Sequence, residues 1–320
     1  SAIYNGNDNY NVAKANASFV VSKVSDYKMN VTVPTIAAGE NAVIEVSLPK
    51  DATNNVTVVI NNKKYTAAVL NGSAKVIIPG LTTGKYNMSV NYSGDDKYTQ
   101  SSANFNITVE ANKNVNLNIS DIVMIYKDGT RMVAVLTDYL DNPIANAIVY
   151  FTINGQTYNK TTDANGTASM GLNLVSNVYN ATVSYNGSEV YNNVSKNITV
   201  TINPTIVADD LVKMYQNATR FYAKFTDSTG KALANTVVKF NIHGVFYTKK
   251  TDKDGVADLG IMLRPGSYIL TAYNPVTGEE KGFNITVKSL IMQNDLTKYY
   301  LNASKFQATI YNKDGSLAVN

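Results

Sequence analysis

The chain has 320 residues, of which 44% are apolar, 16% charged and 10% aromatic, with a net charge of +4 and no cysteine. That apolar share is enough to fold, which argues against wholesale disorder, and the thinly spread charge argues against nucleic-acid binding. Thiol catalysis, disulfides, iron–sulfur clusters and thiolate zinc sites are excluded, and a single histidine cannot build a histidine-rich metal site.

Length alone suggests about two domains, but internal repetition organises the chain differently. Near the start, Tyr4-Asn-Gly-Asn-Asp-Asn-Tyr10 is similar to Tyr92-Ser-Gly-Asp-Asp-Lys-Tyr98 and Tyr185-Asn-Gly-Ser-Glu-Val-Tyr191. Those two stretches close their repeats, so residues 1–23 read as the end of a preceding module. Complete modules then run over 24–110, 111–202 and 203–287, and 288–320 starts a further one. The clearest match aligns Asp121-Ile-Val-Met-Ile-Tyr126 with Asp210-Leu-Val-Lys-Met-Tyr215, an offset of 89 residues. The offset holds through Thr137-Asp138/Thr226-Asp227, Phe151/Phe240, Thr162-Asp163/Thr251-Asp252 and Tyr179/Tyr268. A third copy begins at Asp295 and stops at Asn320, the counterpart of Asn235, so the chain reads as a window on a longer tandem array.

Within each module the apolar residues recur with period two, the mark of half-buried strands. Tyr86, Met88, Val90 and Tyr92 alternate with Asn87, Ser89 and Asn91. Phe105, Ile107 and Val109 alternate with Asn104, Asn106 and Thr108, and Phe283, Ile285 and Val287 continue the pattern. Asn154-Gly155, Asn165-Gly166, Asp254-Gly255 and Pro265-Gly266 mark turns. No stretch reads as helix, and no apolar run approaches the roughly 18 residues that span a bilayer. No charged-then-apolar leader opens the chain. Short strands spaced by turns every 8–12 residues or so predict an all-β fold of tandem immunoglobulin-like β-sandwich modules in an extended array. Gly84-Lys-Tyr86 and Pro265-Gly-Ser-Tyr268 set a tyrosine just past a turn, where such sandwiches use a tyrosine corner. The Cys–Trp–Cys core of antibody domains is absent, because Trp and Cys both number zero.

Residues 24–110 resemble a bacterial Ig-like repeat in Gly39-Glu40, Val56-Thr-Val-Val-Ile60, Gly72-Ser-Ala-Lys-Val-Ile-Ile-Pro-Gly-Leu81, Gly84-Lys-Tyr86 and Tyr92–Tyr98. Residues 111–287 are similar to Ig-like modules of adhesin-like surface proteins from methanogenic archaea. The motifs are Ala145-Asn-Ala-Ile-Val-Tyr-Phe151, Lys160-Thr-Thr-Asp-Ala-Asn-Gly-Thr-Ala168 and their copies at 234–240 and 249–257. The resemblance implies secreted tandem-repeat proteins that act as stalks, adhesins or surface-layer components. It is specific for fold and setting and weak for ligand.

Asparagine is over-represented, at 42 residues. An AT-rich genome explains the count but not the placement. Asn-x-Ser/Thr with x not proline occurs at Asn16, Asn30, Asn55, Asn71, Asn87, Asn91, Asn106, Asn118, Asn159, Asn165, Asn180, Asn186, Asn193, Asn197, Asn217, Asn284 and Asn302, seventeen positions in all. Composition predicts roughly seven. The reversed order, Ser/Thr-x-Asn, which strand alternation inflates equally, occurs eight times. The excess is directional, as an oligosaccharyltransferase requires, so these asparagines are candidate N-glycosylation sites. Asn87, Asn91, Asn106, Asn118 and Asn284 fall on the outward phase of their strands, and Asn87, Asn106 and Asn284 are the leading candidates.

Enzyme chemistry finds little support. His243 occupies the place of Asn154 ahead of a glycine and reads as a turn residue. The pairs Asp95-Asp96, Asp209-Asp210 and Glu279-Glu280 read as solvated. Asp252-Lys-Asp254-Gly could offer oxygens to Ca²⁺, but its copy Asp163-Ala-Asn165-Gly has lost one carboxylate, and a turn is the better reading. A Lys–Asn isopeptide crosslink needs a buried lysine beside an asparagine and a protonated acid. Asp138/Asp227 and Lys160/Lys249 recur, yet the lysines flank a turn and read as exposed.

These features predict a non-enzymatic, N-glycosylated stalk or adhesin-like protein, extracellular and at the cell surface, without cofactor or metal. Its expected partners are covalent N-glycans, neighbouring modules or copies of the same protein, and a host or partner-cell surface. The alternatives are a subunit of a self-assembling filament or surface layer, and a carbohydrate- or cell-wall-binding module, which needs a solvent-facing aromatic platform. The joins at Glu110-Ala-Asn-Lys113, Ile202-Asn-Pro204 and Val287-Lys-Ser289 leave few free residues, which predicts stiff coupling and an extension of about 130–150 Å. In 295–320, Phe306, Ala308 and Ile310 alternate with Lys305, Gln307 and Thr309, and their apolar face is expected to lack a cover from this chain.

Overall fold

A computed structural model describes residues 1–319; Asn320, where the third copy stops, lies outside them. The described secondary structure consists of β-strands. The chain forms two compact units, Ser1–Lys113 and Asn114–Asn320.

In the first unit, a short hairpin pairs Ala2–Tyr4 with Ala13–Ala15. The strands Asn30–Thr32, Ala42–Ser47 and Ser73–Ile78 then form a three-stranded sheet. A five-stranded sheet runs in the order Ile36–Ala37, Ser101–Glu110, Gly84–Tyr92, Asn55–Ile60, Lys63–Ala68. The sequence explains the layering. Ala42–Ser47 reads Ala-Val-Ile-Glu-Val-Ser and buries Ala42, Ile44 and Val46, while Asn55–Ile60 buries Val56, Val58 and Ile60. Alternation points each set at the facing sheet.

The second unit repeats that strand order twice. Val115–Asn118, Arg131–Asp138 and Thr167–Gly171 face a sheet ordered Ile122–Ile125, Val194–Asn203, Asn177–Tyr185, Ile148–Ile153, Gln156–Thr161. Next, Ile206–Val207, Arg220–Phe225 and Val256–Gly260 face Leu211–Met214, Glu280–Lys288, Gly266–Tyr273, Val237–Ile242, Val245–Lys250. Phe151 and Phe240 lie fully buried at equivalent places in the two cores, each stabilising its sandwich by roughly 1.5–3 kcal/mol. Residues 291–310 add a two-stranded sheet, Ile291–Gln293 with Ala308–Ile310. Phe306 and Ile310 are exposed there. The fold is thus all-β, in tandem immunoglobulin-like sandwiches.

Two local devices recur. The hairpins beside the outer strands turn on paired positive-φ residues, Asn61-Asn62, Asn154-Gly155 and His243-Gly244, the geometry whose twist matches antiparallel strands. Asparagine tolerates that backbone better than most side chains, so part of the asparagine excess serves turns. The tyrosine corner is also present in all three sandwiches. The hydroxyl of Tyr86 donates to the Thr82 carbonyl at 2.8 Å, Tyr179 to Val175 at 2.9 Å and Tyr268 to Arg264 at 2.9 Å.

Candidate functional site

The sequon asparagines lie outside the cores. Asn91 and Asn217 are half-buried and the other fifteen are exposed. Asn87 and Asn106 are direct cross-strand partners on the outer face of their sheet, while the adjacent Met88 and Ile107 point into the core. Some of these side chains also have work inside the fold. The Nδ2 of Asn284 donates to Asp210 Oδ2 at 2.8 Å, that of Asn217 to the Lys313 carbonyl at 2.7 Å, and that of Asn91 to Ser89 Oγ at 3.1 Å. Because Nδ2 is the atom that would carry a sugar, the folded protein presents Asn284 less freely than Asn87 or Asn106.

The turn carboxylates are engaged by their own loops. Asp163 Oδ1 accepts from the amides of Asn165 and Thr167, and Asp252 Oδ1 from those of Asp254 and Val256. Asp138 and Asp227 do the same for residues two and four further on. Burial opposes the charge of Asp138, but bonds from Asn142 and Leu140 outweigh it and hold its carboxyl below the usual range. His243 sits exposed in its turn, with its ring edge-on to Tyr268 at 5.5 Å.

The acid pairs correct the reading of solvated carboxylates. Asp209 and Asp210 are exposed, but Asp95 and Glu279 are buried, at 7% and 3% exposure. Asp95 follows the strand Gly84–Tyr92. Its Oδ2 accepts from Thr53 N at 2.8 Å and the Tyr92 hydroxyl at 2.8 Å, and its Oδ1 from the amides of Lys97 and Tyr98. Burial pushes against ionisation, yet the amides of Thr53, Tyr98 and Lys97 together with the Tyr92 hydroxyl hold the carboxyl far below the ordinary carboxylate range.

Glu279 follows the corresponding strand Gly266–Tyr273 and forms the joint of the second unit. Its Oε2 accepts from Thr205 N at 2.5 Å, Thr205 Oγ1 at 2.7 Å and Ile206 N at 3.2 Å, while Oε1 accepts from Ser176 Oγ. Ser176 belongs to the preceding sandwich. Asn274 Nδ2 donates to Thr205 Oγ1 at 3.1 Å and the Thr226 carbonyl at 2.8 Å, which completes a buried polar knot. Buried polar groups are costly unless satisfied, and here the carboxylate's oxygens are used on both sides of the joint.

Lys213 is a further feature that periodicity did not single out. It is 5% exposed and donates to the carbonyls of Asn217 at 2.5 Å, Ile261 at 2.9 Å and Thr219 at 3.1 Å. Burial pushes its pKa down. The available signal was the repeat itself, since the preceding copy has Met124 at that position. In the third copy Lys298 takes the same place and donates to the Ser304 carbonyl at 2.9 Å.

No protein-family model matches the chain. Among curated proteins it is similar to the inverse autotransporter adhesin YeeJ of Escherichia coli (strain K12), at 29% identity over 283 residues, covering 78% of this chain. The chain spans 12% of that relative's length. Solved structures that resemble it include a 1.5-MDa bacterial ice-binding adhesin, at 17% identity and TM-score 0.28, covering 84% of this chain and 99% of that one. A run of titin domains aligns at 12% identity and TM-score 0.32, covering 82% and 98% of the two chains.

Proposed function

We propose that the chain is a stretch of a non-enzymatic, N-glycosylated, adhesin-like protein displayed outside the cell, with Ig-like modules at 24–110, 111–202 and 203–287 flanked by parts of two more at 1–23 and 288–320. The observation that carries the reading is the directional excess of sequons, seventeen against eight in the reversed order, all at positions outside the cores. The likeness to part of an inverse autotransporter adhesin supports a surface location, and the motifs at 145–151 and 160–168 favour the type found in methanogenic archaea. Its partners are covalent glycans, copies or neighbouring modules of the same protein, and the surface of another cell.

Glycopeptide mass spectrometry of native material tests the first part. Modification at Asn87 and Asn106 is expected, with lower occupancy at Asn284, and finding all three bare would defeat it. Surface labelling of intact cells tests the second. Protein labelled only after lysis would sink the location.

A further inference from the structure

The sandwich of residues 115–203 has an open flank where the edge strands of its two sheets, Gln156–Thr161 and Thr167–Gly171, come together. A cavity of about 350 Å³ lies there, with Ile153, Met170 and Leu172 as apolar walls and Tyr158, Lys160 and Arg131 as polar lining. Tyr158 is 46% exposed, while Ile153 and Met170 are buried. We infer that this cleft binds a carboxylated, ring-sized ligand, an acidic sugar unit of the hexuronic type, with its carboxylate on Arg131.

The internal repeat supplies the argument. Arg131 pairs in register with Gly171, and 89 residues on Arg220 pairs with Gly260. In the later copy the guanidinium is matched by a carboxylate of the chain, in the ion pair of Arg220 with Asp258. In the earlier copy the corresponding residue is Ser169, a neutral partner whose Oγ accepts from Arg131 Nε at 2.8 Å and whose carbonyl accepts from Nη2 at 3.4 Å. Among the described residues neither Arg131 nor Lys160 has an ion-pair partner. The same scaffold therefore shows that a carboxylate fits this guanidinium, and here the chain does not provide one. Arginine's planar fork favours such a partner over a neutral group. A volume near the low end of ligand pockets, about 300 Å³ and upward, suits one ring. Apolar walls with one accessible tyrosine suit the mixed surface of a sugar better than a bare ion.

The inference gives the adhesin-like reading a ligand, but it stands on its own residues, and its failure leaves the glycopeptide and surface-labelling tests untouched. The test titrates the full 320-residue chain, produced without glycosylation, with sodium D-glucuronate while following backbone amide resonances. Saturable shifts at Ser169 and Gly171 are expected, with D-glucose at matched ionic strength giving an affinity about tenfold lower or less. Ser169→Asp rebuilds the pair already present at Arg220 and Asp258, so it keeps the fold and should weaken glucuronate binding about tenfold or more, an energy of about 1.4 kcal/mol. Arg131→Gln should do the same. No saturable shift, equal responses to glucose and glucuronate, or unchanged affinity in both variants would overturn the site. Benzoate binding where glucuronate does not would overturn the sugar assignment.

Discussion

The sandwiches of 115–203 and 206–288 share strand order, parallel pairing of the second strand with the last, hairpin turns and tyrosine corners. They differ in where charge is placed. Arg131 faces Ser169 where Arg220 faces Asp258; Met124 becomes Lys213; and Glu189 is exposed in the loop after Asn177–Tyr185, whereas Glu279 is buried in the loop after Gly266–Tyr273. The difference teaches which positions the fold dictates. Facing apolar rows admit few solutions, because a close-packed interior resists changes of volume. Positions on a flank, a strand end or a joint can be satisfied by water, by backbone carbonyls or by a neighbour, so they are free to diverge and to acquire roles.

The largest break of this comparison should come at the two loop glutamates. Glu279→Ala strands the amides of Thr205 and Ile206 and is expected to destabilise the 206–288 sandwich by roughly 2–4 kcal/mol. Glu189→Ala, at an exposed position, should change its own sandwich by about 0.5 kcal/mol or less. Hydrogen exchange resolved by sandwich reads both, and equal effects would show that burial at residue 279 is not what matters.

The tyrosine corners should respond next, and alike. Tyr86→Phe, Tyr179→Phe and Tyr268→Phe each remove one hydroxyl-to-carbonyl bond, worth about 1 kcal/mol. A spread among the three larger than about 1 kcal/mol would mean that the corners are not equivalent parts.

Asp95 sharpens the comparison through pH. Its folded pKa is depressed, so its stabilising contribution is present above the unfolded value, near 3.9, and is lost as pH falls through the folded value. The stability gap between the native chain and Asp95→Asn, read from the first unit's exchange, should therefore be constant from neutrality down to about pH 5 and shrink below about pH 4. A gap unchanged at pH 3 contradicts the depressed carboxyl.

The smallest effect is expected at Lys213. Replacing it by the methionine that the earlier copy uses removes both a desolvated charge and three carbonyl bonds, so Lys213→Met should shift stability by about 1 kcal/mol or less. Because the folded pKa of Lys213 is lowered, any penalty from its charge fades as pH rises from the folded pKa toward the ordinary lysine value. The variant should thus gain least, relative to the native chain, in alkaline solution. Thermal unfolding at pH 7 and pH 10 measures it.

Much of the architecture was legible in the sequence because strand alternation is a local signal. Ile44, Val58, Val90 and Ile107 could be assigned inward from their neighbours alone, and so could the outward asparagines between them. Tyr86 and Tyr268 were legible from the turn before them. The carboxylates were not. Asp95 and Asp96 are adjacent acids in a polar loop, and only the arrival of Thr53 from another strand distinguishes the buried one. Glu279 is fixed by Thr205 and Ser176, 74 and 103 residues away, a separation that periodicity cannot bridge. The flank cavity was equally hidden, since Lys160 looks like a solvated turn residue until the strand Thr167–Gly171, with Arg131 paired to its end, is set beside it. Aligning the copies, Ser169 on Asp258 and Met124 on Lys213, was the one route by which the sequence could have flagged these places.

The parallel pairing has a mechanical consequence. Ile36–Ala37 lies parallel to Ser101–Glu110, Ile122–Ile125 to Val194–Asn203 and Leu211–Met214 to Glu280–Lys288. The second strand of each sandwich, parallel to its last, enters at one end while the chain leaves at the other. Tension along the polypeptide then drags the two strands past each other in shear, and the bridging bonds must fail together. An antiparallel pair pulled the same way would unzip one bond at a time. Single-molecule pulling on the full chain should show high, discrete rupture forces, which Thr286→Pro, removing an amide opposite Val212, should lower for one sandwich. A chain with no cysteine to crosslink it thus carries its resistance to drag and stretch in the direction in which its strands are laid.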